Sequence, residues 1–300
     1  MSDANVLGQR TRKVNIDYGL ADRLNREVAE EKRKAELERI KNGKKTAEEP
    51  VKVEPKVSDI DSGFITLENI ACMDASGEVI EKYTQLQVRK DIERDSGNKD
   101  IKTNQISFTP YNAAVHFENQ GLFLPSFALT CNIIAALYAN KSNAEIAKVL
   151  NQYKDKGNGT GWHAQNTLVN WGAKQIIHYP SKSDYTSTGG AADINKQRPR
   201  NLLSFNNKRF KDITLDEALN DSNYKDFLQN LTGLQNPEVL VDIGKYFGMA
   251  ETRTWVSSDK DTKVAWLGCR NIYFNLYTNN SLAHYIAARG VRSVSKGDSQ

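Results

Sequence analysis

The tract CRNIYFNLYTNNSLAHYIAARGVRSVS, Cys269 to Ser295, contains no Lys, Glu, Gln, Asp, Met or Trp, although the chain around it is rich in Lys, Asp and Glu. It is polar, aromatic and crowded with Asn and Tyr, and it closes on ARGVR. One reading is an ordinary pair of strands with a polar loop closing the domain. The codons AAC and AAT supply a sharper account. Substituting either adenine yields Asn, Tyr, His, Asp, Ser, Thr, Ile, Phe, Leu, Val, Arg, Cys, Gly, Ala or Pro, and never a stop, Lys, Glu, Gln, Met or Trp. Every residue from Cys269 to Ser295 lies in that reachable set.

The residue chemistry points the same way. Tyr gives large contact area with few torsions to freeze, and Asn and Ser give adaptable hydrogen bonds. The tract therefore predicts a contact surface made of Arg270, Asn271, Tyr273, Asn275, Tyr277, Thr278, Asn279, Asn280, Ser281, His284 and Tyr285. Interleaved Phe274, Leu276, Leu282 and Ala287 are expected to anchor it to a core. Trp255, Trp266 and Val291 read as core. Arg289 and Arg292 read as structural residues that each need a carboxylate or carbonyl partner. On this reading, alanine at Tyr273 or Tyr277 weakens binding and leaves the melting temperature nearly unchanged.

The remaining composition bounds the alternatives. The chain has 300 residues, 39% hydrophobic and 26% charged, which suits one large domain plus an appendage. Its net charge of +4 gives no electrostatic case for nucleic acid. The apolar run Phe127–Tyr138 is too short to cross a bilayer, so no membrane insertion is expected. MSDANVLGQRTRKVN lacks the apolar centre of a signal peptide. Cytoplasmic synthesis is expected, with virion association or a cell-surface place left open.

Cys72, Cys131 and Cys269 are widely spaced and odd in number, so they read as buried thiols. His116, His163, His178 and His284 form no metal-binding spacing, and neither metal nor cofactor is expected. Polar clusters are conceivable around His163, Gln165 and Asn166, and around His178 and Asp184. A hard-cation turn is conceivable at Ser257, Ser258, Asp259 and Asp261, with a plain exposed turn the stronger reading. No nucleophile elbow, phosphate loop or dinucleotide fingerprint is present.

Along the chain, residues 1–57 carry a dense mixed-charge run, DRLNREVAEEKRKAELERIKNGKK, followed by the charged linker TAEEPVKVEPKV. They read as a helix able to mediate oligomerisation, or as a disordered tail. Residues 58–300 read as one ligand-binding domain. FITLENIACMD and GEVIEKYTQLQVRKD predict strands, and NQISFTPYNAAVHFE a strand or a strand and helix. Residues 125–153 predict two helices, the first with Pro125 in its first turn and the second capped by Ser142. Gly161–Tyr185 reads as a short helix or loop, then a strand around Lys174–Tyr179. DEALND, YKDFLQNLTG and Pro237–Gly248 read as helices, and ETRTWVSS and TKVAWLGC as strands.

The tail TWVSS…AWLGCRNIYFNLYTNN…ARGVRSVSK resembles the end of C-type lectin-fold domains of the formylglycine-generating-enzyme type. It is more similar still to the variable proteins of diversity-generating retroelements. The likeness covers Trp255–Lys296 and extends more loosely from Leu124. The RGGSW motif of many relatives is missing, and WLGCR stands in its place. The resemblance implies an α+β C-type lectin fold with small antiparallel sheets and two or more helices. It implies a hypervariable region at about 266–292, rewritten through adenine-specific errors of a reverse transcriptase. The implied function is non-enzymatic recognition of an unknown protein or surface glycan, in a phage, an archaeal virus or a microbe carrying the element. A structural tail or baseplate protein with a lectin-like domain is the alternative. An oxidase of the sulfatase-modifying type, which would need Cys269 reactive in a cleft, is a weaker one.

Overall fold

The computed structural model describes residues 55–93, 108–154, 162–185, 198–205, 212–257, 260–282 and 287–295. All of them fall within one compact unit that begins at residue 54. The charged run of residues 1–54 lies outside the described residues. The first strand begins at Lys56, next to the boundary expected at 57.

The fold is mixed α+β, with two sheets and six helices among the described residues. The smaller sheet contains β1 (Lys56–Ile60), β2 (Phe64–Met73), β3 (Val79–Arg89) and β11 (Val291–Ser295) in the order β1-β2-β3-β11. All its pairings are antiparallel. The predicted turn between β2 and β3 is built by Asp74, whose carboxylate accepts from the backbone N–H groups of Ser76 and Glu78. Gly77, at φ +87°, completes it.

The segment expected to continue this extended run is helical from Pro110. Helix α1 (Pro110–Asn119) starts there because the Thr109 hydroxyl accepts from Asn112 N–H and Pro sits in the first turn. Helix α2 (Phe127–Ala139) buries ten of its thirteen residues, so it is apolar on every side. Its cap is Ser126, and Pro125 lies outside the helix, where its carbonyl accepts from Asn166 N–H. Helix α3 (Ala144–Asn151) is capped by Asn143 and not by Ser142, since the Asn143 side chain reaches the N–H groups of Glu145 and Ile146.

The larger sheet contains β4 (Trp162–Asn170), β5 (Gln175–His178), β6 (Asn201–Ser204), β7 (Ile213–Thr214), β8 (Glu251–Trp255), β9 (Thr262–Arg270) and β10 (Tyr273–Asn280). Their order is β6-β5-β4-β9-β10-β8-β7, antiparallel except for the β10–β8 pair. The stretch from Trp162 to Asn170, expected as a helix or loop, is strand β4. It is buried along seven consecutive residues, so neither polar alternation nor helical spacing marks it. Helices α4 (Leu215–Leu219), α5 (Ser222–Thr232) and α6 (Val239–Tyr246) follow as expected, α4 through a capping box at Thr214 and Glu217.

Two clusters of apolar side chains flank the larger sheet. The main one gathers α2, α3, α5, α6, the inner residues of β2 and β3, and Leu267, Cys269, Phe274 and Leu276. The second packs α1 and Leu124 against Ala164, Leu168, Ile177, Trp266, Tyr277 and Ala288 on the other face. A sheet buried on both faces leaves little of β9 and β10 to solvent, which bears directly on the site.

Candidate ligand-binding face

The hairpin β9–β10 turns at Asn271 and Ile272. Asn271 takes the left-handed conformation, φ +54°, which Asn tolerates better than most residues. Its tip is the exposed end of the predicted surface: Arg270 and Asn271 are exposed and Ile272 is 53% exposed. From there, alternation along β10 sends Phe274, Leu276 and Thr278 to the main core and Tyr273, Asn275 and Tyr277 to the opposite face.

The structure therefore divides the predicted contact residues. Arg270, Asn271 and Ser281 are exposed, while Tyr273, Asn279 and Asn280 are half-buried. Asn275, Tyr277 and Thr278 are interior, contrary to expectation. Thr278 could not share a surface with Tyr277, because consecutive strand residues point to opposite faces. Its hydroxyl donates to the Trp255 carbonyl (2.7 Å), and its own carbonyl accepts from the Trp171 indole N–H (2.8 Å). Asn275 lies on the outer face but is covered, with its side-chain oxygen accepting from the Trp255 indole N–H at 2.6 Å. His284 and Tyr285 lie outside the described residues.

Tyr277 is covered by aromatic rings on both sides. Trp255 stacks on it at 5.6 Å and 16°, and Trp162 at 4.9 Å and 19°. Register explains the contact with Trp162. Gly268 of β9 faces both Trp162 and Asn275, and without a side chain there the indole leans across β9. Burial pushes the Tyr277 phenol up, while the positive charge of Arg270 pulls the other way. An alanine at Tyr277 is therefore expected to lower stability, unlike an alanine at Tyr273.

Around this column lies a rim of charge. Arg253 stacks over the Tyr273 ring at 4.8 Å and pairs with Glu251 at 2.8 Å, a bond that raises the guanidinium pKa. Arg270 sits 5.7 Å above the Trp162 ring. Trp255 and Trp162, half-buried, are thus part of the face. Sequence reasoning placed Trp255 in the core and did not single out Trp162. The signal available was only a Trp next to Gly161, and pairing β4 to β9 was needed to use it.

The closing motif ARGVR is structural. Arg289 is 3% exposed and its guanidinium donates to the Arg89 carbonyl, to the Lys90 carbonyl at 2.7 Å and to Gln152 Oε1 at 2.6 Å. Val291 and Phe123 exchange both backbone hydrogen bonds, and Arg292 donates to Gln87 while covering the Phe64 ring at 4.4 Å.

The histidines of the two polar clusters have these neighbours in the structure. His178 is buried, with Thr167 Oγ1 at Nδ1 (2.8 Å) and the Asn230 carbonyl at Nε2 (3.0 Å), and burial lowers its pKa. Asp184 pairs with Arg200 at 2.9 Å instead. His163 packs against the Tyr153 ring at 4.4 Å. Burial raises the Cys72 and Cys131 thiols well above their usual range, and Cys269 is 2% exposed on the core side of β9. Among the described residues no group of three or more His, Cys, Asp or Glu is placed to hold a metal. Ser258 and Asp259 lie outside them, and Asp261 approaches Lys263 at 3.7 Å. No described helix is long and apolar enough to cross a membrane. The chain matches no family model, no curated protein and no solved structure.

Proposed function

We propose that this chain is a non-enzymatic ligand-binding protein of C-type lectin-like architecture, in which the β9–β10 hairpin and its continuation form a surface diversified by a retroelement. The observation that carries the reading is a division of labour within one tract. Arg270, Asn271, Tyr273, Asn279, Asn280 and Ser281 keep contact with solvent, while Phe274, Leu276 and Thr278 of the same tract are locked into the core. A surface of this kind accepts exchange at its outer positions without moving the backbone.

The ligand is a macromolecule, either a protein or a surface glycan, met by Tyr273 and Arg253 with amides around them. The burial of Cys269 favours this reading over the oxidase. The test is the nucleotide sequence beside the gene. A near-copy of the segment coding for 269–295, differing at adenines, next to a reverse transcriptase gene is expected; its absence overturns the retroelement origin. Independently, Tyr273→Ala is expected to leave the melting temperature within about 2 °C while weakening capture of the native ligand at least tenfold, as for an exposed aromatic anchor. An unfolded Tyr273→Ala protein would remove Tyr273 from the surface role.

A further inference from the structure

Two of the three rings in the aromatic column lie outside the tract that lacks Trp. Trp162 belongs to β4 and Trp255 to β8, and only Tyr277 belongs to Cys269–Ser295. The two indoles are also held in place without it. Trp162 meets the Trp266 ring edge-on at 5.4 Å and 73°. Trp255 is fixed through its indole N–H to Asn275 and through its carbonyl to the Thr278 hydroxyl. Both indoles run nearly parallel to the Tyr277 ring, within 19° and 16°. Without that ring, the space it fills against the two indoles would be left open. Arg270, an exposed residue over the Trp162 ring, lies at the open side of this group.

We propose that Trp162 and Trp255 form a fixed indole clamp for a flat aromatic ring, and that residue 277 decides whether the clamp is plugged from within the chain or open to a ligand. The proposal rests on reading 269–295 as exchangeable, and it names the ligand class for that same face. In this chain Tyr277 is the plug, so a ligand meets ring edges flanked by Arg253 and Arg270. With a small residue at 277, the clamp receives an aromatic side chain from the ligand. Arg270, over the Trp162 ring, then offers its charge to an oxygen on the edge of that ring.

The test uses the full chain and p-cresol, which is the side chain that Tyr277→Ala removes. Millimolar p-cresol is expected to raise the melting temperature of Tyr277→Ala by several degrees and to change its tryptophan fluorescence saturably. The unaltered protein and Tyr277→Phe, whose slot is full, should not respond. Trp162→Ala added to Tyr277→Ala should weaken p-cresol binding at least tenfold. Puckered 4-methylcyclohexanol should bind at least tenfold more weakly than p-cresol. Equal binding of the two would show a generic cavity, and no binding would show that the walls collapse; either result overturns the clamp. Should Tyr277→Ala be unfolded at 25 °C, refolding on addition of p-cresol becomes the readout. Tyr277→Val, which opens part of the slot, is the second variant, and failure of both overturns the proposal. None of these measurements depends on the gene's neighbourhood. An absent template repeat would therefore sink the retroelement reading and with it exchange at 277, while p-cresol binding by the indole pair would still stand; an unresponsive Tyr277→Ala would sink the clamp and leave the retroelement reading untouched.

Discussion

At the scale of single residues, Gly290 marks a position near the end of the tract where the packing leaves no room for exchange. A Cβ on Gly290 would come within 2.6 Å of the Phe117 ring and 2.9 Å of Leu122, both packed in the second core. Gly290→Ala is expected to cost about 2 kcal/mol or more through overpacking, read as a lower midpoint in chemical denaturation at unchanged slope. His178 sets a second expectation. Burial holds its folded pKa below the ordinary histidine value, with Glu81 the charged group acting on it in the opposite direction. The unfolded chain therefore binds a proton that the folded chain resists. The stability this group contributes is complete above the ordinary value of about 6.5 and is lost as pH falls toward the folded pKa. Melting temperature should decline from pH 7 to pH 5, and His178→Gln should flatten that decline, even if it melts lower throughout.

At the scale of elements, the β9–β10 hairpin reconciles exchange with a fixed backbone. Its turn needs one residue at φ +54°, and Asn271 supplies it. Asn271→Gly should be neutral or slightly stabilising, whereas Asn271→Ile should cost about 1–2 kcal/mol in thermal unfolding. Exchange at 271 is thus free only among residues that tolerate the left-handed region. Strand β10 shows the complementary limit. Its three core-facing residues, Phe274, Leu276 and Thr278, are fully buried, and the Thr278 hydroxyl and carbonyl are both engaged. Replacing them alters the scaffold and not the face.

At the scale of the whole molecule, the last strand closes the fold. Strand β11 completes the smaller sheet against β3, while Val291 joins Phe123 and the Arg289 guanidinium ties residues 89, 90 and 152 together. The diverse tract therefore runs through strands β10 and β11, which limits where its side chains there can point. A chain ending at Gly290 is expected to fail to fold, seen as loss of cooperative melting and aggregation in gel filtration. A cooperative, soluble product would show that β11 is an accessory.

Local rules written in the sequence were sufficient where a cap, a turn or an alternation acts through near neighbours. Asp74 and Gly77 turn β2 into β3, the Thr214 and Glu217 box starts α4, and the pattern from Tyr273 to Leu276 orients β10. The same rules predicted that Arg289 would need a carboxylate or carbonyl partner, and carbonyls of Arg89 and Lys90 supply it. They could not show β4, because a strand buried on both faces has no polar side to betray its period. Nor could they show which outward-facing side chains of β10 stay wet. Trp255 and Trp162 cover Asn275 and Tyr277 from strands β8 and β4, far away in sequence, and Gly268 makes the reach possible. Composition determined what kinds of residue the tract carries and which of them alternate. Long-range pairing decided which of those side chains meet solvent, because burial depends on neighbours that no local pattern records.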